Sequence, residues 1–88
     1  MDKHEKRNLA GKAHSLKPVV SIGNKGLSEA VIKEVHIALD AHELIKIKIM
    51  ASDKAERLEI SERIVAQTQS EFLNLIGQVG IFYRKNTQ

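Results

Sequence analysis

The chain has 88 residues, 42% of them apolar and 28% charged, with 14 Lys and Arg against 11 Asp and Glu. That length fits one domain around a single core. The lack of cysteine excludes a disulfide framework and a thiolate metal site, and no stretch approaches the ~20 apolar residues of a membrane-spanning helix. The opening residues, Met1-Asp2-Lys3-His4-Glu5-Lys6-Arg7, are charged and lack the apolar core of a signal peptide. A cytoplasmic protein is therefore expected, forming one domain over 1–88 with frayed ends at 1–5 and 85–88.

In chain order, the spacing predicts a first helix over Lys3–Leu16, with Leu9, Ala13 and Leu16 at i, i+4 and i+7 as its buried stripe and Lys3, Lys6, Arg7 and His14 on another face. Pro18 ends it, because a proline pushes the preceding residue out of the helical region. A strand over Val19–Ile22 follows. The second helix runs from about Ser28 to Ala41, with Ser28 as N-cap, Leu27 and Ile32 as a hydrophobic staple, and Val31, Val35, Ala38 and Leu39 facing the core.

The second strand, Leu44–Met50, alternates Ile45, Ile47 and Ile49 with Lys46 and Lys48, so isoleucines face one side and lysines the other. A third helix over Asp53–Thr68 carries Leu58, Ile60, Ile64 and Val65. A third strand at Phe72–Ile76, a glycine-bearing loop at Gly77–Gly80 and a last strand at Ile81–Arg84 complete the order α-β-α-β-α-β-β. Strand–helix–strand units cross over right-handed and place their strands parallel, and the final hairpin is antiparallel. The expected fold is α/β (α+β): one four-stranded mixed sheet packed with helices.

The segment Gly23-Asn24-Lys25-Gly26 lies at the junction of the first strand and second helix. Two glycines let the backbone turn sharply and let a polyanion approach the amides. The free N–H groups of the following helix add partial positive charge, and Lys25 adds a full one. RNA-binding KH domains use a GxxG loop in this way on the sugar-phosphate backbone. Charge is segregated around the loop: residues 1–26 hold six basic and two acidic side chains, and residues 27–45 hold one basic and four acidic. A basic surface set apart in this way suits a polyanion.

Lys46 and Lys48 have two readings. They protect an edge or solvent-facing strand from aggregation, or they form a phosphate-contacting surface, since alternate strand residues stand about 6.6 Å apart. With only Phe72, Phe82 and Tyr83 as aromatics, base stacking of the RRM kind is not expected, and Tyr83 is expected half-buried in the core. Catalysis finds no support. His4, His14, His36 and His42 are dispersed, with His36 and His42 expected at the helix surface, no HExxH or GxSxG motif occurs, and the loop lacks the ending of a Walker sequence. No metal ligand, cofactor or small-molecule substrate is expected. Glu29, Glu34, Glu56, Glu59 and Glu62 read as solvated helix faces.

The segments LAGKAHSLKPVVSIGNKGLSEAVIKEVHIALDAHELIKIKI and IGQVGIFYRK closely resemble YhbY-type proteins, the free-standing bacterial CRM (chloroplast RNA splicing and ribosome maturation) domains. The resemblance spans nearly the whole chain. It implies a fold similar to the C-terminal domain of the third bacterial translation initiation factor, binding to ribosomal RNA in precursors of the large (50S) subunit, and a part in that subunit's assembly. The family's GxxG loop maps onto Gly23, Asn24, Lys25 and Gly26, its flanking basic positions onto Lys12, Lys17, Lys46 and Lys48, and the basic residue of its terminal pair onto Arg84. The family often carries proline after that arginine, where this chain has Lys85 and a short tail.

The first expectation is thus a non-enzymatic RNA-binding assembly factor. A second is a protein-interaction adaptor docking through its acidic helices on ribosomal or assembly proteins. A third is a site for a phosphate-bearing small molecule at the loop.

Overall fold

The pattern resolves into α1 (Lys3–Ala13), β1 (Pro18–Ile22), α2 (Glu29–His42), β2 (Leu44–Ile49), α3 (Lys54–Thr68), β3 (Glu71–Ile76) and β4 (Val79–Tyr83) in the computed structural model, which describes residues 2–23 and 26–86. Each helix starts on a side-chain cap. The carboxylate of Asp2 accepts from the Glu5 amide at 2.8 Å, the Ser28 hydroxyl from the Val31 amide at 3.2 Å, and the carboxylate of Asp53 from the Glu56 amide at 2.7 Å. Such caps satisfy amides that have no partner inside the helix. The Asp2 cap also gives residues 3–5, expected within a frayed end, a helical first turn.

The four strands lie in the order β1-β2-β4-β3. β1 pairs parallel to β2, and β4 pairs antiparallel to both β2 and β3. The last strand in sequence is therefore inserted between the second and the third. β2 is paired on both sides, which removes the edge-strand reading of its lysines; the edges are β1 and β3. The turn joining β3 to β4 is two residues long, with Gly77 at φ 59°, where a type II′ hairpin needs glycine.

One sheet face carries the core. Val20, Ile22, Ile45, Ile47, Ile49 and Phe82 pack there with Val35 and Leu39 of α2 and Ile64 of α3. Full burial of one such side chain is worth roughly 1.5–3 kcal/mol. Phe72 and Phe82 meet at a ring-centroid distance of 5.5 Å. α1 covers part of the other face, where Ala13 and Ile81 are buried and the half-buried Tyr83 lies in register with Leu44 and Glu71.

Two expectations change. The first helix ends at Ala13 instead of Leu16; the chain tightens through Leu16 N–H to Ala13 C=O at 2.9 Å before Pro18, and Leu16 is left 38% exposed. β4 begins at Val79, two residues early, so Gly80 lies inside the strand opposite Ile47 and Leu75.

Candidate nucleic-acid interface

Because β1 and β2 are parallel, the segments that follow them meet above the same edge of the sheet. The Met50 amide donates to the Ile22 carbonyl at 3.0 Å, and the Gly26 amide donates to the Gly23 carbonyl at 3.0 Å. The two glycines differ in their reason for being there. Gly26 sits at φ 72°, in the region where an L side chain is strained. A Cβ on Gly23 would meet no atom of the other described residues within 4 Å, its chain neighbours aside. Asn24 and Lys25, expected as the anion-binding centre of the loop, lie outside the described residues.

The Ser28 and Asp53 caps bring the N-termini of α2 and α3 to this same edge, each adding the positive end of a helix dipole. A recess of about 220 Å³ lies between the two loops, lined among others by Gly23, Gly26, Met50, Ser52 and Glu56.

The basic residues form a line running away from the loop. Lys48 is exposed on the outer sheet face, in register with Ser21, two residues before Gly23. Lys46, two positions back on the same face, is only half exposed, because the end of α1 covers it; its Nζ donates to the His14 carbonyl at 3.4 Å. That contact places a cation at the negative end of a helix. Lys12 in the last turn of α1 and Lys17 before β1 are exposed at the opposite end of the strand pair, about 16 Å from the loop, the length of a five-residue strand. The topology thus places Lys12 and Lys17, Lys46, Lys48 and the glycine loop in sequence along one side of β1–β2.

A model of the CRS1/YhbY (CRM) domain matches residues 1–84. The chain belongs to this family. A Pseudomonas aeruginosa protein named "Probable RNA-binding protein" is 34% identical over 86 residues, covering 98% of this CRM chain and 83% of its own length. A Haemophilus influenzae protein named "RNA-binding protein" is 38% identical over 84 residues, covering 96% and 85%. A solution structure of a hypothetical protein from Staphylococcus aureus superposes with a TM-score of 0.90 at 30% identity, covering 100% of this chain and 92% of that one.

Arg84 of this CRM domain is set apart from the other basic residues. Its guanidinium donates to His36 Nδ1 at 2.9 Å, the Thr68 carbonyl at 2.8 Å, the His36 carbonyl at 3.3 Å and Asp40 Oδ1 at 2.8 Å. Four of its five donors are engaged inside the chain, tying the end of β4 to α2 and to the end of α3. The same contact draws His36, expected at the surface, into a half-buried position, and makes its Nδ1 an acceptor. His42 stays exposed. Neither the spacing of Arg84 nor its neighbours signals this tie, since its partners are 16 to 48 positions away in sequence.

Asn86 continues the closure, donating from its amide to the Glu43 carboxylate at 2.6 Å and from its side chain to the Asp40 carbonyl at 2.8 Å. Glu29, Glu34, Glu56, Glu59 and Glu62 are exposed, as expected of solvated faces. Among the described residues no group of three His, Cys, Asp or Glu is placed to hold a metal ion, and no helix is long and apolar enough to cross a membrane.

Proposed function

We propose that this chain is a non-enzymatic RNA-binding protein that grips the phosphate backbone of ribosomal RNA in large-subunit precursors and assists their assembly in the cytoplasm. The glycine loop and the amides of the α2 N-terminus form the grip, with Lys25 as its fixed charge. Lys48, Lys46, Lys17 and Lys12 extend it along β1–β2. Arg84 holds the framework behind this surface. The observation that carries the reading is the meeting, at one sheet edge, of the loop glycine Gly23, two helix N-termini and the exposed Lys48. CRM-family membership and the names of the relatives support RNA as the class of partner. The ribosomal target follows from the resemblance to YhbY-type proteins.

Sedimentation of cell lysate on a gradient, with and without ribonuclease, tests the reading. Comigration with large-subunit precursors that ribonuclease abolishes is expected. Comigration that survives ribonuclease would transfer the role to protein contacts by the acidic helices. Replacing Gly23 and Lys25 together by alanine is expected to weaken RNA binding while leaving the melting temperature within about 2 °C, since Gly23 lies outside the core and a Cβ there meets no other described residue within 4 Å, its chain neighbours aside. Undiminished binding by that variant would remove the loop from the interface.

A further inference from the structure

We propose that the groove between the end of α1 and the start of β1–β2 is a second RNA site, which takes one unstacked base and stacks it on His42. This rests on the RNA-binding reading above and adds to it a contact that backbone recognition does not need. The groove encloses about 490 Å³, and its walls are Leu16 and Val19 on one side and Leu44 and Ile45 on the other. Two of these are open to solvent, Leu16 at 38% and Val19 at 50%.

The apolar slot exists because α1 stops at Ala13. The released segment carries Leu16 past the sheet instead of folding it under the helix. Lys12 and Lys17 stand at the rim, and among the described residues no acidic side chain lines the groove. An apolar slot edged only by cations suits a flat aromatic group flanked by anions, which is a nucleotide in single-stranded RNA.

The chain's three Phe and Tyr side chains cannot serve as an outer platform: Phe82 is buried, Phe72 packs against it, and Tyr83 is half-buried. The exposed imidazole of His42, in the last turn of α2, lines the groove and supplies the missing π-face. The groove also opens at the Lys12–Lys17 end of the basic line, so a strand held by its phosphates at the glycine loop can reach it without leaving the surface.

The test uses the full chain with two probes, a single-stranded RNA heptamer of uniform sequence and a 12-base-pair RNA duplex, followed by affinity and by NMR of the Leu16, Val19 and Leu44 methyls. The heptamer is expected to shift these methyls upfield through the ring current of the inserted base, and the duplex to leave them in place. His42→Ala is expected to weaken heptamer binding by about 5- to 150-fold, the range for loss of one base–aromatic stack, with duplex affinity and folding unchanged. His42→Phe is expected to restore it. Heptamer binding with silent methyls and an indifferent His42→Ala would overturn the base site while leaving backbone recognition intact. Methyl shifts on adding an acidic amphipathic peptide, and none on adding RNA, would overturn it in favour of a protein partner. Failure of both RNA probes to bind the unaltered chain would instead remove the RNA reading itself.

Discussion

The two faces of β2 do different work with the same backbone. Ile45, Ile47 and Ile49 are at most 1% exposed beneath α2 and α3, whereas Lys48 stands free on the opposite side and Lys46 is half covered. Alternation puts successive side chains on opposite faces, so the packed face and the face proposed to meet RNA can be altered independently, one residue apart. The contrast extends to arginine and lysine. Arg84 is drawn into the frame by four hydrogen bonds, while Lys12, Lys17 and Lys48 are exposed and make no side-chain hydrogen bond or salt bridge among the described residues.

The largest break in this comparison comes from its apolar side. Ile47→Ala is expected to lose about 2–5 kcal/mol, a large part of the stability of a domain this small; urea unfolding measures it, and a loss below 1 kcal/mol would contradict the packed face described. Gly80→Ala comes next. A Cβ there would stand 2.7 Å from Phe82 Cε1 and 3.5 Å from Ile49 Cδ1, and because that ring is enclosed, about 1–3 kcal/mol is expected to be lost.

Arg84→Met should cost about 1–3 kcal/mol in the same measurement. Lost hydrogen bonds and two carbonyls left short of donors account for this, and the exposure of Asp40 limits the ion pair's share. Below its melting transition this variant is expected to bind RNA within about twofold of the unaltered chain; a loss of tenfold or more would make Arg84 a phosphate contact. Lys48→Ala sharpens the comparison from the other side. Its stability should change by less than about 0.5 kcal/mol, while its affinity for RNA falls evenly across sequences and the slope of log affinity against log salt drops by about one unit.

Most of the architecture was legible in local signals. Ser28 capped the helix it was expected to cap, and the Ile/Lys alternation of β2 named its buried face. The departures share a cause: each depends on contacts made in the folded chain that the local pattern does not show. Glycine at position 80 reads as a loop residue until the ring of Phe82, two positions on in the same strand, is seen to fill the space above it; glycine within a strand often marks such close approach. Leu16 kept the helical spacing of Leu9 and Ala13, yet Ala13 alone sealed the contact with the sheet. Arg84 is expected at the RNA-binding surface from the family resemblance, and its ties to His36, Asp40 and Thr68 are not legible because those residues are remote in sequence. In the candidate site, the loop and the outward lysines were visible as residues, but their arrangement along one strand pair follows from the parallel pairing of β1 with β2. His42 is expected at the surface of α2 and lies there, but the groove it lines is not legible, because Lys12, Leu16 and Val19 on its other side are remote in sequence.

The position of β4 between β2 and β3 bears on how the protein is made. Synthesis runs from the N-terminus, and domains fold as their segments emerge, but here the strand that joins the two halves of the sheet comes after the other three in sequence. Until it emerges, β3 has no partner in the sheet and the outer edge of β2 is open. The Arg84 tie, closer still to the C-terminus, is made later again. The domain therefore reaches its native state only once residues 79–84 have emerged, and a product that stops before them would leave two strand edges exposed to aggregation.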